Sequence, residues 1–364
     1  MRGTDTKQAS MLSLLTPEKR VPPKHPLRAI KEMAEAALVE LSPLFDAMYS
    51  TVGRSSIPPE RLLKASLLMA LYSVRSERLF CEQLDYNILF RWFLGMNMDH
   101  PSFDHSTFSK NRERLIAHEV AKEFFLTIAA QAKASGLISD EHFTVDGTLI
   151  EAWASLKSFR KKDDPGDRSP PDDPGNPTVD FHKEKRSNAT HQSTTDPDAK
   201  LIRKGKGKEA KLSYSQHALM ENRNGLLIDL RIAEANGTAE RELALEMVGD
   251  RLPGKRRITL GGDKNYDTKD FIAECGWRRI TPHVAQHITE TRGSAIDRRT
   301  TRHPGYSVSQ RVRKRVEEIF GWTKTVANFR RTRFKGIART ELASYLVGAA
   351  YNLLRMARLL AAPA

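Results

Sequence analysis

Apolar positions recur every three or four residues through the first third of the chain and then alternate or gather into short runs, so the pattern changes period near residue 140. The stretch "PPERLLKASLLMALYSVRSERLFCEQL" opens on Pro58 and Pro59 and brings Leu62, Leu63, Ser66, Met69 and Ala70 round at helical spacing. "NILFRWFLGM" carries the helical signal on, "NMDHPSFDHS" breaks it, and the run from Ser106 to Gly136 predicts one long helix with Ser106 as its N-cap. That helix begins with Ser109, Lys110, Asn111, Arg112 and Arg114, side chains of the kind that meet phosphates and base edges. A helix-turn-helix is one reading; an amphipathic helix of a bundle would look the same.

Beyond residue 140, "EHFTVDGTLIEA" predicts a strand and "KLSYSQHALMENRNGLLIDLRIAEA" two strands about a turn at Asn222 to Gly225. A helix follows in "TAERELALEMVGDRL", then a strand, "RITLGGD", a short helix capped near Asp267, "DTKDFIAECG", a strand, "RRITPHVA", and long helices. This order is that of an α/β fold. Residues 158–180 lack periodicity and are rich in Pro, Gly and Asp, so a mobile insertion is expected after the first strand, its basic continuation reaching about residue 211. The expected division is an all-α domain over 1–125 and an α/β domain over 139–360. The most hydrophobic segment, 342–362, is interrupted by Asn352, Arg355 and Arg358 and reads as a packing helix, not a membrane span.

A formal charge of +14 favours an anionic partner, and the excess is concentrated. Residues 311–335 hold nine Lys or Arg against two Glu, and residues 183–211 hold nine against four acids. One such run alone reads as a solvated face; two flanking the strands point to nucleic acid. Cys81 and Cys275 are far apart, which excludes a disulfide framework and a Cys-ligated zinc site and fits a reducing cytoplasm. The first fifteen residues lack the basic start and apolar core of an export signal.

Three acids stand out. Asp146 ends "FTVD" and, because side chains alternate along a strand, faces with Thr144 and away from Val145, although Asp-Gly is equally a hairpin-turn signal. Asp263 ends "RITLGGD", at the carboxyl end of a strand where open α/β sheets bind ligands. Its plain alternative is a helix-starting Asp, a role already open to Asp267, and the two glycines before it permit close backbone approach. In "RVRKRVEEIFGWTK", taking about 100° per residue, Val312, Val316, Ile319 and Thr323 share one stripe, and Arg313, Glu317, Phe320 and Lys324 the next. Glu318 turns to the solvated side. Glu317, at the expected boundary of core and solvent, is the third candidate.

Carboxylates are natural ligands for Mg²⁺ or Mn²⁺, and two such ions about 3.5–4 Å apart clamp the attacking and leaving oxygens of an in-line phosphoryl transfer. Arg313 and Lys324 would hold the neighbouring phosphates, and Arg330, Arg331 and Arg333 extend the basic clamp.

"TVDGTLIEAWASLKSF", "GGDKNYD" and "RVRKRVEEIFGWTK" resemble the DDE transposases of bacterial insertion sequences, the insertion-sequence-five type. The resemblance implies an RNase H-like catalytic domain preceded by an all-α N-terminal domain, with Asp146, Asp263 and Glu317 as catalytic, metal-ligating acids. The family's third acid lies in a helix with a Tyr, two residues, Arg, three residues, Glu, six residues, Lys; Arg313, Glu317 and Lys324 fit, and Gln310 stands at the Tyr position. The implied activity is cleavage at the ends of the element and strand transfer into target DNA. The implied partners are terminal inverted repeats, target DNA and further copies of the chain. A non-catalytic repressor derived from a transposase is the alternative, against which three intact acids count. A general RNase H-like nuclease is a third reading, separated by whether cutting needs terminal sequences. His283 and His287, four residues apart but in a strand-like segment after Pro282, are expected to be structural, whereas His191 and Asp196, in the basic insertion, are expected near DNA rather than in catalysis.

Overall fold

The helical spacing of the first third folds as α1 (Pro17–Arg20), α2 (Leu27–Glu40), α3 (Ser42–Met48), α4 (Pro59–Leu71), α5 (Glu77–Tyr86), α6 (Ile88–Leu94), α7 (Ser106–Ala117) and α8 (Val120–Ala134) in the computed structural model. The structure describes residues 16–361 except 51, 53–55, 163–185, 206, 237–238, 253, 255 and 290. The long helix expected from Ser106 is two, because Glu119 takes a left-handed φ of 48° between α7 and α8. Ser106 is not its N-cap; the Asp104 carboxylate accepts from the Ser106 N–H at 2.8 Å.

After α8 the alternating pattern builds β1 (His142–Glu151), followed by β2 (Phe159–Lys161), β3 (His191–Ser193), β4 (Lys200–Arg203), β5 (Ala210–Glu221) and β6 (Leu227–Glu234). Then come α9 (Ala239–Arg251), β7 (Ile258–Gly262), α10 (Lys269–Trp277) and β8 (Ile280–Val284). The chain closes with α11 (Arg298–Arg302), α12 (Pro304–Val312), α13 (Arg315–Thr325) and α14 (Ile337–Ala361). β6, β5 and β1 are mutually antiparallel, and β7 and β8 then add parallel to β1, with α9 crossing over from β6 to β7. This is the RNase H-like order.

Two features of the sheet shape the site. β1 pairs β7 only over His142–Thr144, and the chain near Arg331 rejoins β1 only at Glu151. Among the described residues, the edge of β1 from Val145 to Ile150 therefore has no strand on that side, which leaves a notch at the carboxyl end of β7.

The expected mobile insertion is corrected where it is described. Residues 159–161 pair with 191–193, β4 pairs with β5, and Ala152, Phe159, Ala199, Leu212, Tyr214 and Ile232 form a small second core beneath them. Residues 163–185 lie outside the described part. His191 is buried and stacks on Phe159, and the buried Asp196 accepts the Tyr214 hydroxyl at 2.6 Å, so both serve this core instead of facing DNA.

The main core spans both of the expected domains. One apolar cluster runs from Val21 to Ala357, because α14 packs against α2, α4 and α8 on one side and β6 on the other. Gly348 makes this passage possible: a Cβ there would stand 2.4 Å from Leu230 Cδ1 and 3.1 Å from Phe125 Cε2. Asn352, buried in the same helix, satisfies both the N–H and the C=O of Leu227 at 2.9 Å. Among the described residues no helix is long and apolar enough to cross a membrane.

Candidate active site

Asp146 and Gly147 lie mid-strand, opposite Ala218 and His217 of β5, so the hairpin-turn reading of Asp-Gly does not apply. The Asp146 carboxyl is raised to about 6, first by burial and then by the charges of Asp263 and Glu317, against the pull of the Gly147 N–H, which it accepts at 2.8 Å, and of Arg313. The charges of both other acids selected from sequence, Asp263 and Glu317, thus bear on the Asp146 carboxyl.

Asp263 follows β7, and the two glycines before it make the close approach the sequence suggested. A Cβ on Gly261 would stand 2.8 Å from Thr144 Oγ1 and 3.4 Å from Arg313 Cβ, and one on Gly262 3.1 Å from Val284 Cγ1. The elimination that favoured Asp263 is corrected in detail. Thr268, not Asp267, caps α10, while Asp263 itself caps the turn Lys264–Tyr266 by accepting the Asn265 N–H at 2.8 Å. Asp267 is buried and receives the N–H groups of His287 and Ala295 at 2.7 and 2.9 Å, anchoring the segment after β8. His283 is structural as expected, its Nδ1 2.7 Å from the Ser309 hydroxyl.

The basic helix is not continuous. α12 stops at Val312 and α13 starts at Arg315, and the N–H groups of Val316 and Glu317 bond three residues back, at 3.2 and 3.1 Å. Within α13 the expected packing stripe of Val316, Ile319 and Thr323 is buried, but so is Phe320 of the neighbouring stripe, while Val312 before the break is only half-buried. Glu317 and Glu318 are both exposed, so direction separates them, not the boundary of core and solvent. Glu317 acts on Asp146, whereas Glu318 acts on Tyr351 of α14. Gln310 accepts from Arg313 Nε at 3.0 Å and donates to the His283 carbonyl, which fixes the guanidinium beside Asp146. Lys324 donates to Thr148 Oγ1, two residues beyond Asp146, and burial, with Lys204 and Arg330 nearby, lowers its ammonium to about 8.

The other basic candidates divide. Arg330 and Lys110 are exposed. Arg331 is tied to the carbonyls of Ala152 and Trp153 at 3.0 and 2.6 Å, and Arg333 to that of Arg75 at 3.1 Å. Arg112 pairs with Glu77 and lies over the Phe334 ring at 4.5 Å, so it joins the helical part to the α/β part. A groove of about 500 Å³ beside Gly147, edged by Arg203, Lys204, Arg241 and Arg292, is a cationic surface that the sequence runs only partly indicated.

Oxygen donors on β1, after β7 and on α13 suit a hard divalent cation, whose charge would offset the burial and the acidic neighbours that together raise Asp146. Among the described residues no three Asp, Glu, His or Cys groups already converge on one point. Closing on an ion is left to side-chain rotation, which the exposed Glu317 can supply.

Residues 15–114 match a transposase domain (DUF772), and residues 184–353 match a transposase DDE domain. The second match encloses Asp263 and Glu317; Asp146 lies before its start. Among solved structures, the chain is similar to a piggyBac transposase synaptic complex with hairpin DNA, at 10% identity over 90% of this chain and 73% of that one, with a TM-score of 0.40. It is also similar to a Mos1 transposase paired-end complex with left transposon end, at 11% identity over 72% and 78% of the two chains, with a TM-score of 0.20. Likeness this remote bears on neither the site nor the reaction.

Proposed function

Because the chain belongs to the DDE transposases, in the two-part form of the insertion-sequence-five type, we propose that Asp146, Asp263 and Glu317 are the catalytic acids with which it cuts the ends of its own element and joins them to target DNA. What supports this reading most is that the charges of Asp263, Glu317 and Arg313 all bear on the half-buried carboxyl of Asp146, on the unpaired edge of β1. Transposases of this family act with divalent metal; bound here, Mg²⁺ or Mn²⁺, two ions to a site, would supply charge to the scissile phosphate and make a nucleophile of water or a hydroxyl. Asp146 and Asp263 present oxygens from a strand and a strand end, and Glu317 closes from α13. Arg313, held by Gln310, and Lys324, held by Thr148, steady the phosphates on either side. Water and a 3′-hydroxyl are equivalent nucleophiles for in-line displacement, so one site serves both cleavage and joining.

The partners are double-stranded DNA, first the terminal inverted repeats and then the target, and a second copy of the chain to hold the other end. Lys324, Lys204 and Arg330 form the backbone clamp, and Lys110 on α7 contributes from the helical part. Such an enzyme works on the chromosome in the bacterial cytoplasm. The test is purified full-length protein with Mg²⁺ and linear DNA carrying the flanks of its own gene. Breaks at short inverted repeats that leave 3′-hydroxyl ends are expected. Equal cutting of unrelated duplex would instead describe a general nuclease, and binding without any cutting a repressor.

A further inference from the structure

Gly147 has a second role that the three acids do not account for. A Cβ at this position would stand 2.4 Å from Glu240 Oε1 and 3.3 Å from His217 Nδ1, so only a glycine lets both groups close over the strand. Glu240 comes from the first turn of α9, and His217 lies directly opposite Gly147 in β5. An acid in a first turn is ordinarily explained by the helix dipole, and the exposed Glu242 fits that explanation. Glu240 does not, because it is turned inward over Gly147. Burial, then the charges of Asp263 and Asp146, raise its carboxyl to about 7, with Arg241 opposing them.

His217 is the independent sign that this corner is built to hold something. It is 2% exposed, its Nε2 meets Ser215 Oγ at 2.6 Å, and its Nδ1 has no hydrogen-bond partner among the described residues. A buried ring nitrogen without a partner is costly, and this one faces the same point above Gly147 as the Glu240 carboxylate. With Nε2 accepting from Ser215, Nδ1–H is free to donate toward Glu240.

We propose that Glu240 is a fourth oxygen donor of the divalent-cation site, beside Asp146 and Asp263, and that His217 is the positioning residue that steadies its carboxylate over Gly147. This rests on the reading of Asp146 as a metal ligand. Outer partners of this kind set metal affinity by about 10- to 100-fold when removed.

The test is titration of the full-length, DNA-free protein with MnCl₂, followed by calorimetry and by the paramagnetic resonance of free Mn²⁺. Glu240→Gln should weaken Mn²⁺ binding by about tenfold or more, Glu240→Asp by less, and Glu242→Gln not at all. Gly147→Ala, which leaves the acid in place and denies it room, should behave like Glu240→Gln. His217→Ala should weaken binding in the wild-type background and add nothing in the Glu240→Gln background, a coupling that a merely structural His would not show. Wild-type Mn²⁺ affinity in both Glu240→Gln and Gly147→Ala, with loss in Asp146→Asn, would overturn the role of Glu240 alone. Retention in Asp146→Asn would overturn the catalytic assignment on which it rests.

Discussion

Replacing Asp146 by Asn should make the metal-free protein more stable at pH 8. The carboxyl is held at about 6 instead of its ordinary 3.8, so ionising it in the folded state costs at most about 3 kcal/mol. Asn keeps the acceptor for the Gly147 N–H and removes the charge that meets Asp263 and Glu317. The sign follows from proton binding: between pH 4 and 6 the folded state holds a proton that the unfolded state has lost, so stability falls as the pH rises through this window and stays low above it. Asn has no such fall. Partial exposure trims the gain to about 1–3 kcal/mol, or about 1–4 °C in Tm for a chain of this size. Scanning fluorimetry in EDTA at pH 8 should show the Asn variant melting higher, the gap narrowing as the pH drops toward 4. Added Mn²⁺ should raise the wild type and not the variant. If the Asn variant melts no higher than wild type at pH 8 in EDTA, the Asp146 carboxylate is not disfavoured by burial and its acidic neighbours, and the account of the notch fails.

Gln310→Ala should release Arg313 and lower the cleavage rate while leaving Mn²⁺ affinity unchanged, and Gln310→Tyr should restore much of the rate; single-turnover kinetics on end-bearing DNA would show it. Neutralising Lys204 and Arg330 should flatten the dependence of DNA affinity on salt by about 0.9 in the log–log slope for each phosphate that is no longer neutralised. Arg331→Ala should instead destabilise the fold by about 1–2 kcal/mol by removing its two bonds to carbonyls, read from urea unfolding. A fragment starting at Ser139 should show no cooperative thermal transition, because it strips α2, α4 and α8 from α14; a sharp transition would mean the catalytic part has a core of its own.

The strands β1, β5, β6, β7 and β8 were legible because signals such as the alternation in "FTVDGTLIE" and the turn at Asn222 to Gly225 are local, whereas β2, β3 and β4 were hidden in a segment without periodicity. The different directions of Glu317 and Glu318 were legible too, since direction on one helix turn survives the break before Arg315, although both side chains are exposed. The break itself was not: "RVRKRV" contains neither Gly nor Pro, and the turn is tightened without them. Glu240 was invisible because it is one of several acids in "AERELALEMVGD", and only the space above Gly147 distinguishes it. Arg112, Arg331 and Arg333 resemble DNA-binding residues in a linear sequence, yet the fold turns them to Glu77 and to backbone carbonyls. The large core shared by both parts depends on long-range packing at Gly348, which no local pattern announces.

The most direct measurement compares two neighbours on one helix. Glu317 and Glu318 are adjacent, both exposed and alike in chemistry, but only Glu317 acts on Asp146. Glu317→Gln and Glu318→Gln should bind end-bearing DNA equally, and cleavage with Mg²⁺ should vanish in the first and persist in the second. An active Glu317→Gln protein, or a dead Glu318→Gln protein that still folds and binds, would contradict the assignment of the three acids.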